Sequence, residues 1–433
     1  MIKVEKIIPG GQALGTHDDG RKIFFWNALP DELIEEFKIT KKKTHYYEAI
    51  ATKIKQPSSH RIAPKDECFL STSPWQILDF SYENHLKKTL VNEIFNAHKI
   101  KIESPEIITD NQKYFYRNKM EYALYWNHGT QKIHLAFHAR GSHQKIPIKQ
   151  SSLERPEIFA TAEAIVNNLN ILQDEARRYQ SLLLRCNQNG EVSGGLFEKH
   201  KPHPVFKNLT DQILGQNYSY SPNGFFQINL PVYELALKEI QKHIHTDKVL
   251  DLYAGVGTIG LSTARHKKLT LVESDQSAFS ELAENCKRNE FEGIRQVSTI
   301  FEEHIFRQNC KRNGFEGIRS YDEDERADPV TTGVGDAPRE PIPLAIFSKS
   351  ENVTDFIEPD QTVILDPPRA GCDRKLIDKL NEIRPKTIIY LSCNPATQAR
   401  DVKLLLENYQ IKHIQPFNFF PRTPHIENLV VLC

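Results

Sequence analysis

The chain has 433 residues, more than one ordinary domain holds, so we expect two or three domains. Hydrophobic residues make up 39% and aromatic residues 9%, which excludes a disordered chain. Lys plus Arg and Asp plus Glu number 56 each, and this zero net charge gives no overall support to nucleic-acid binding. The sequence has neither an apolar run of membrane-spanning length nor a secretory signal, so we expect a cytoplasmic protein with no membrane partner.

The N-terminal segment, residues 1–57, is predicted to form a small β-barrel, because glycine-containing turns separate short alternating runs such as Lys22 to Trp26. A lysine run, Lys41 to Lys43, precedes Tyr46 and Tyr47. Cations beside aromatic rings suit the backbone and bases of RNA. A solvated lysine run that protects a strand edge accounts for the same residues equally well, so both interpretations stay open.

The middle of the chain mixes helix and strand patterns. Apolar residues recur at helical spacing from Tyr82 to about His98. Residues 121–126 and 133–138 resemble strands, and a polar helix is predicted near 158–181. These patterns predict a mixed α+β central domain.

The segment after Lys248 has a different pattern, in which buried strands alternate with helices. Four apolar runs stand at residues 249–253, 269–272, 362–365 and 387–391. This alternation indicates an α/β fold with a doubly wound sheet.

A repeat interrupts this region. Residues 285–295 return almost unchanged at 309–319, which we interpret as a local duplication, because two copies are too few for a solenoid. The acidic stretch from Ser320 to about Pro343 is rich in Gly and Pro, so we expect a surface loop there.

A glycine-rich turn, Asp251 to Gly260, follows the first of these strands and opens a helix. Such a turn lets the backbone approach a ligand, and Glu273 after the next strand can accept ribose hydroxyls. The glycine spacing also fits a dinucleotide site. Asp251 before the glycines and a strand ending in Asp366 and two prolines favour S-adenosyl-L-methionine instead.

The seven cysteines are scattered and none forms a CxxC pair, so we expect reduced thiols. Cys393 directly follows a strand and enters a proline-containing loop. A lone cysteine is more often a small buried hydrophobic residue, but this position at the sheet edge favours chemistry. Composition alone leaves Glu427 an ordinary surface carboxylate.

Several strings together resemble the RNA uridine-C5 methyltransferase family, and they occur in that family's order over the C-terminal half. They are FFQIN (225–229), DLYAGVGTIGL (251–261), DPPRAG (366–371), SCNPAT (392–397), Arg400 with Asp401, and FPRTPHIE (420–427). YRNKMEYAL (116–124) is similar to a strand of the family's central RNA-binding domain. The N-terminal segment is similar to the TRAM domain, an RNA-binding barrel.

The resemblance implies a class I methyltransferase (Rossmann-like) domain and a role for individual residues. Cys393 would be the nucleophile that adds to C6 of uracil, and Glu427 the base that removes the C5 proton. The cofactor S-adenosyl-L-methionine would be bound by Gln227, Tyr253, Gly255, Glu273 and Asp366. The expected domains are 1–57 (TRAM-like barrel), 58–80 with 113–222 (central RNA-binding domain), and 81–112 with 223–433 (methyltransferase domain).

One departure concerns an iron–sulfur cluster that many members hold with four cysteines. Here the stretch from Pro64 to Trp75 offers only Cys68, and no cysteine stands near Ser151. A four-cysteine cluster needs all its thiolates, so we predict no iron–sulfur cluster and no other metal.

The alternatives are cytosine-C5 methylation of RNA, methylation of an exocyclic amino group, and a non-catalytic RNA-binding descendant. The last two alternatives assign no chemical role to Cys393 and Glu427. We expect an RNA partner, with ribosomal RNA favoured over tRNA because of the barrel, and a monomeric protein.

Overall fold

The computed structural model describes residues 1–291, 295–298 and 344–433, apart from the side chains of 173–175 and 295–298. The second copy of the repeat and the acidic stretch 320–343 lie outside the described residues.

The N-terminal segment forms a closed five-stranded barrel with the order β1-β2-β3-β5-β4. Its strands are β1 (Ile2–Ile7), β2 (Ala13–Thr16), β3 (Lys22–Trp26), β4 (Leu33–Lys42) and β5 (Tyr46–Gln56). Alternate residues point inward, and Ile23 and Phe25 of β3 are fully buried. The predicted small barrel is therefore confirmed.

The central region begins with short helices and continues into a five-stranded sheet of order β10-β9-β6-β7-β8. Its elements are α1 (Phe69–Thr72), a 3₁₀ turn (Pro74–Ile77), α2 (Phe80–Ala97), β6 (Lys119–Asn127), β7 (Lys132–His138), β8 (Lys145–Pro147), α3 (Pro156–Ile171), a second 3₁₀ turn (Gln173–Arg178), β9 (Tyr179–Cys186) and β10 (Val192–Glu198). The predicted strands at 121–126 and 133–138 are confirmed.

The helix predicted near 158–181 is wrong in its second part. The helix ends at Ile171, and Tyr179–Cys186 is a strand between β6 and β10. Its run Leu182 to Leu184 is buried in the central sheet, and so short an apolar run does not distinguish a strand from a buried helix.

A hairpin of β11 (Leu209–Ile213) and β12 (Gln216–Tyr220) leads through α4 (Leu230–Gln241) into an eight-stranded sheet. The strand order is β15-β16-β14-β13-β17-β18-β20-β19, and β19 and β20 run antiparallel to their neighbours. The strands are β13 (Lys248–Leu252), β14 (Lys268–Glu273), β15 (Arg295–Ser298), β16 (Leu344–Phe347), β17 (Gln361–Leu365), β18 (Thr387–Ser392), β19 (Ile411–Phe417) and β20 (Glu427–Leu432). The helices are α5 (Thr258–Thr263), α6 (Gln276–Arg288), α7 (Arg374–Ile383) and α8 (Pro395–Leu405).

Helices cover both faces of this sheet. Val249 of β13 packs into one apolar core with α4, α5 and α6, whereas Leu250 and Leu252 pack into another with α2, α7 and α8. The second core is continuous with the interior of the barrel. The predicted doubly wound α/β sheet is confirmed. None of the helices in the described ranges is long and apolar enough to cross a membrane.

Candidate active site

Cys393 and Glu427 face each other across two paired strands. The antiparallel register of β18 and β20 pairs Ser392 with Asn428, and its next step sets Cys393 opposite Glu427. Glu427 is buried, with 4% of its surface exposed, and Cys393 is half-buried. The two residues that the sequence singled out from distant motifs are therefore neighbours at one edge of the sheet.

The electrostatics of this pair are dominated by burial. Burial raises the pKa of the Glu427 carboxyl well above its usual value, the negative Asp366 adds to this, and Arg369 opposes it. Burial also raises the pKa of the Cys393 thiol to about 11, with smaller contributions from Glu427 and Asp366. Arg369 acts in the other direction, partly through a hydrogen bond to the thiol. In the free protein at neutral pH the thiol is protonated.

Asp366 lies at the same edge, one strand away. Leu365 is paired with Tyr390 in the parallel register of β17 and β18, so Asp366 follows directly at the carboxyl end. Burial raises the pKa of the Asp366 carboxyl to about 7. An acid with this pKa is partly protonated at neutral pH, which is typical of a functional site.

The loop after Asp366 is fixed against the loop that carries Cys393. The Arg369 carbonyl accepts hydrogen bonds from Asn394 Nδ2 at 2.9 Å and from Thr397 Oγ1 at 3.2 Å. A Cβ atom on Gly371, which has φ +83°, would lie 2.6 Å from Asp401 Oδ2. Only glycine fits there, and the two loops are held together through the Arg369 backbone.

The conspicuous pair Arg400 and Asp401 is structural. Asp401 Oδ2 accepts hydrogen bonds from the Cys372 amide and from the Tyr390 hydroxyl, both at 2.9 Å. Arg400 donates to the Ala370 carbonyl at 3.1 Å. The two residues hold the 370–372 turn onto α8.

The glycine-rich turn after β13 leaves room for a ligand. A Cβ atom on Gly255 would meet nothing within 4 Å, whereas one on Gly260 would lie 2.8 Å from Asp251 Oδ2. That oxygen accepts the Gly260 amide at 2.8 Å, while the buried Asp251 Oδ1 has no hydrogen-bond partner among the described residues. Burial raises the pKa of Asp251 to about 8, despite the Gly260 hydrogen bond, and Asp366 and Glu273 raise it further.

Glu273 and Tyr253 lie in the same row of strand ends, because Leu252 is paired with Val272 and Leu365. Glu273 accepts the Gly255 amide at 2.8 Å and so shapes the turn. Tyr253 has φ +66° and lines a cavity of about 680 Å³ beside Gly371 and Cys372. Cys393 does not line that cavity.

Gln227 is buried in the loop before α4, and Asn118, which directly precedes β6, and Arg185 of β9 hold that loop. Asn118 Nδ2 donates to the Gln227 carbonyl at 3.0 Å. The fully buried Arg185 donates to the Phe226 carbonyl, and its guanidinium lies 5.1 Å from the centre of the Tyr220 ring. Sequence reasoning missed Arg185, since no local pattern marks a partner 41 residues away.

The segment that leads to Glu427 is anchored by a network that sequence reasoning also missed. The fully buried Glu83 of α2 accepts the Arg422 amide at 3.0 Å and Asn418 Nδ2 at 3.1 Å, and it forms an ion pair with Lys87 at 3.1 Å. Arg422 also donates through Nη1 to the Leu78 carbonyl at 2.6 Å. We call Glu83, Lys87, Asn418 and Arg422 the Glu83 network.

Cys393 opens into a cavity of about 260 Å³ that the barrel helps to form. Arg369 and His425 line it from loops at the edge of the large sheet, and Pro9 and Gly10 line it from the turn after β1. The contact is tight, because a Cβ atom on the neighbouring Gly11 would lie 2.2 Å from Pro424 Cβ. The barrel therefore forms one wall of the space in front of the thiol.

The lysine run of the barrel is exposed, but one of the adjacent aromatic residues is not. Tyr47 is buried and donates its hydroxyl to Asp19 at 2.8 Å. Lys41 forms an ion pair with Glu48 at 2.9 Å, while Lys42 and Lys43 are exposed. The interpretation in which Tyr47 stacks on bases does not fit this packing.

A polar network joins the two segments that were considered for an iron–sulfur cluster. Asp66 accepts the Ser152 amide at 3.0 Å and Gln76 Nε2 at 2.9 Å. All three residues are buried. The expected lack of a cluster stays a prediction.

Comparisons with known proteins agree with this geometry. A family model described as tRNA (Uracil-5-)-methyltransferase matches residues 352–433, which include Asp366, Cys393 and Glu427. A second model, Conserved hypothetical protein 95, matches residues 232–318. An uncharacterized RNA methyltransferase of Lactobacillus johnsonii is 25% identical over 100% of this chain and 96% of its own length. One from Staphylococcus aureus is 27% identical over 94% of this chain and 92% of its own.

Over its full length the chain is similar to RNA methyltransferases, and its residues 352–433 match the uracil-5-methyltransferase model. A crystal structure of the Pyrococcus abyssi tRNA (uracil-54, C5)-methyltransferase in complex with S-adenosyl-L-homocysteine shares the fold, with a TM-score of 0.68 and 20% identity over 100% of both chains. In this RNA methyltransferase the family's model covers the strand ends that carry the Cys393–Glu427 pair.

Proposed function

We propose that this RNA methyltransferase methylates C5 of a uridine with S-adenosyl-L-methionine, using Cys393 as a covalent nucleophile and Glu427 as the base. The observation that carries the proposal is the register of β18 and β20, which sets a half-buried thiol opposite a buried carboxyl at the carboxyl edge of the sheet. A pair of this kind serves addition to a double bond followed by proton removal.

The first step belongs to Cys393. Its thiolate adds to C6 of uracil, and the electrons of the C5–C6 double bond move towards C5 and the O4 carbonyl, which turns C5 into a nucleophile. Because the pKa of the free thiol is about 11, its proton must pass to solvent water as the substrate binds. Arg369, which lowers this pKa and lines the same cavity, favours the thiolate.

The last step belongs to Glu427. Its carboxylate removes the proton from the methylated C5, the electrons of that C–H bond restore the C5–C6 double bond, and the thiolate leaves C6. Burial raises the pKa of Glu427, and this makes its carboxylate a stronger base than an exposed glutamate.

The residues at the glycine-rich turn fit the cofactor. S-adenosyl-L-methionine supplies the methyl group as an electrophile bound to a cationic sulfur. The open space at Gly255 admits a ligand close to the backbone, and the buried Asp251 has an oxygen without a partner among the described residues. We propose that Gln227, Tyr253, Gly255, Glu273 and Asp366 surround the cofactor.

The RNA substrate is expected to present an extruded base, because the 260 Å³ cavity at Cys393 admits a single base and not a stacked duplex. We propose that residues 1–57 and the central domain bind the RNA. Members of the family that the sequence resembles often act on ribosomal RNA when they carry such a barrel, so we propose ribosomal RNA of the large subunit over tRNA, in the cytoplasm. Mapping 5-methyluridine in the RNA of cells that lack the protein tests this proposal. A loss of 5-methyluridine confined to tRNA would show that the substrate is tRNA and not rRNA.

The chemistry is tested by trapping. RNA that contains 5-fluorouridine, incubated with the protein and S-adenosyl-L-methionine, is expected to form an adduct that survives denaturing electrophoresis, because fluorine cannot leave as a proton. RNA with 5-fluorocytidine serves as the control for cytosine methylation. If the wild-type protein forms no adduct with 5-fluorouridine RNA, the covalent mechanism is wrong.

A further inference from the structure

A second cluster of polar side chains lies at the opposite edge of the large sheet. Glu239 stands near the end of α4, His243 follows four residues later, and His413 is on β19, paired with Val431. His413 Nε2 lies 3.1 Å and His243 Nε2 lies 3.7 Å from Glu239 Oε1. These three atoms all lie within 4.8 Å of one another. They are remote from Cys393, because β19 reaches the carboxyl edge only at Phe417.

The two imidazole nitrogens point into the cluster without a hydrogen-bond partner. His243 Nε2 and His413 Nε2 are both buried, and neither makes a hydrogen bond among the described residues. The ring centroids are 4.6 Å apart and the rings are tilted by 33°. Glu239 Oε1 is close enough to pair with both nitrogens, but neither contact has hydrogen-bond geometry. Buried nitrogens without a hydrogen bond are rare in folded proteins, so a ligand shared by the three atoms would explain their arrangement.

Against the expectation from the sequence that the protein holds no metal, we propose that Glu239, His243 and His413 bind a divalent transition-metal ion, zinc in the first instance. Zinc bonds of 2.0–2.1 Å in tetrahedral geometry separate neighbouring ligand atoms by about 3.3 Å. The 3.1 Å and 3.7 Å separations bracket this value. Two imidazoles and one carboxylate form a donor set that zinc accepts, whereas magnesium and calcium require oxygen ligands. Water would complete the fourth position.

The surroundings orient this donor set. Lys242 Nζ holds Glu239 Oε2 at 2.7 Å, which leaves Oε1 directed at the histidines. His243 lies in the turn directly after α4, and this turn brings its Nε2 to 3.7 Å from Glu239 Oε1. The third ligand comes from a different element, so the ion joins the end of α4 to the edge strand β19.

The position assigns the metal a structural role. α4 begins directly after the loop that carries Gln227, and β19 ends at Phe417, which is paired with Glu427. An ion that joins α4 to β19 stabilises the two elements behind the site without contact with the reacting atoms. We therefore expect zinc to raise the thermal stability of the protein.

The test uses the full-length protein after treatment with a chelator. Titration with ZnCl₂ in a calorimeter is expected to give one ion per chain and a higher unfolding temperature, and MgCl₂ is expected to give neither. CoCl₂ is expected to give the visible absorption of a tetrahedral site. Loss of a partner that only orients a metal ligand costs about 10- to 100-fold in affinity, so His413→Ala and Glu239→Gln should weaken zinc binding by at least about 100-fold.

The matched control is His245→Asn, which removes an exposed histidine two residues from His243 and should leave zinc binding unchanged. Glu239→Gln keeps the shape of the side chain, so it tests the zinc site even if His413→Ala fails to fold. The proposal is overturned if the wild-type protein binds no zinc at micromolar concentration. It is equally overturned if Glu239→Gln binds zinc as tightly as the wild type, since the ion would then lie elsewhere.

Discussion

Glu83 and Glu427 are both buried glutamates, but their surroundings differ. Glu83 accepts hydrogen bonds from Arg422 and Asn418 and forms an ion pair with Lys87, so its charge is compensated inside the protein. Glu427 has Asp366 nearby, and only Arg369 offsets the effect of burial on its pKa. One carboxylate fixes a loop, whereas the other is kept in an environment that favours its protonated form.

The fold therefore treats two buried carboxyl groups differently, compensating the charge of one and leaving that of the other largely uncompensated. A buried charge that has hydrogen-bonded partners of opposite charge holds two segments in one geometry. Acids whose charge is not compensated cost stability, but they bind protons near neutral pH, which a base in catalysis needs. The Glu83 network positions the loop before β20, and Asp366 and Glu427, whose pKa values burial raises, lie at the carboxyl edge of the sheet.

The largest expected effect is on catalysis at the Cys393–Glu427 site. Cys393→Ala should lower the methylation rate by at least about 10⁴-fold, which corresponds to about 5.5 kcal/mol, since no other group replaces the nucleophile. Radiolabelled methyl transfer to RNA measures it. Cys433→Ala, at an exposed thiol, is the control and should keep full activity. A Cys393→Ala variant with activity near that of the wild type would contradict the assignment.

The second-largest effect is expected when the compensated charge of Glu83 is removed. Glu83→Gln leaves Lys87 and Arg422 buried without a counter-charge and should lower the free energy of unfolding by about 3–5 kcal/mol. Glu93→Gln on the same helix removes an exposed ion pair with Lys6 and should change it by at most about 1 kcal/mol. Urea unfolding compares the two variants, and equal losses would show that the network does not stabilise the loop.

Glu427→Gln tests the catalytic glutamate of this pair, because glutamine keeps the shape of the side chain and cannot act as the base. Turnover should fall by about 10²- to 10⁴-fold, while the Cys393 adduct with ordinary RNA accumulates because the C5 proton leaves slowly. Denaturing electrophoresis measures the adduct. An equal loss of adduct and turnover would assign Glu427 to an earlier step than proton removal.

The smallest effect concerns stability against pH. Because burial raises the folded-state pKa of Asp366 to about 7, its favourable contribution is complete below the unfolded value of about 4 and is lost as the pH rises through about 7. Asp366→Asn should therefore be about 1–3 kcal/mol more stable than the wild type at pH 8, and similar to it near pH 4.

Thermal unfolding at the two pH values, without added cofactor, checks this prediction. Asp355→Asn, at an exposed position, should change little at either pH. A gain for Asp366→Asn that is the same at pH 4 and pH 8 would exclude ionisation as its cause.

The strands β13, β14, β17 and β18 of the large sheet were predictable, because parallel strands buried on both faces appear as continuous apolar runs such as Thr387 to Leu391. The β9 strand was missed, since its short apolar run fits a helix equally well. The separate motifs of Cys393, Asp366 and Glu427 could be found, but their common position depends on strand order, which no local pattern contains.

The residues that position the site were beyond sequence reasoning. Glu83 contacts Arg422 across 339 positions of the chain, and Asn118 reaches Gln227 across 109. Such pairs are ordinary polar residues until the fold brings them together. The wall that Pro9 and Gly10 add to the Cys393 cavity could not be predicted either, because it depends on how the barrel docks.

The pairing of β18 with β20 also determines which insertions this enzyme tolerates. The spacing of Cys393 and Glu427 is fixed by the Ser392–Asn428 pair and not by the chain from 394 to 426. Extra residues at the exposed turn of Glu407 and Asn408 should therefore leave the pair intact. A slip of one residue in β20, by contrast, would turn Glu427 to the other face of the sheet. The length of this turn can change, whereas the register of β20 cannot.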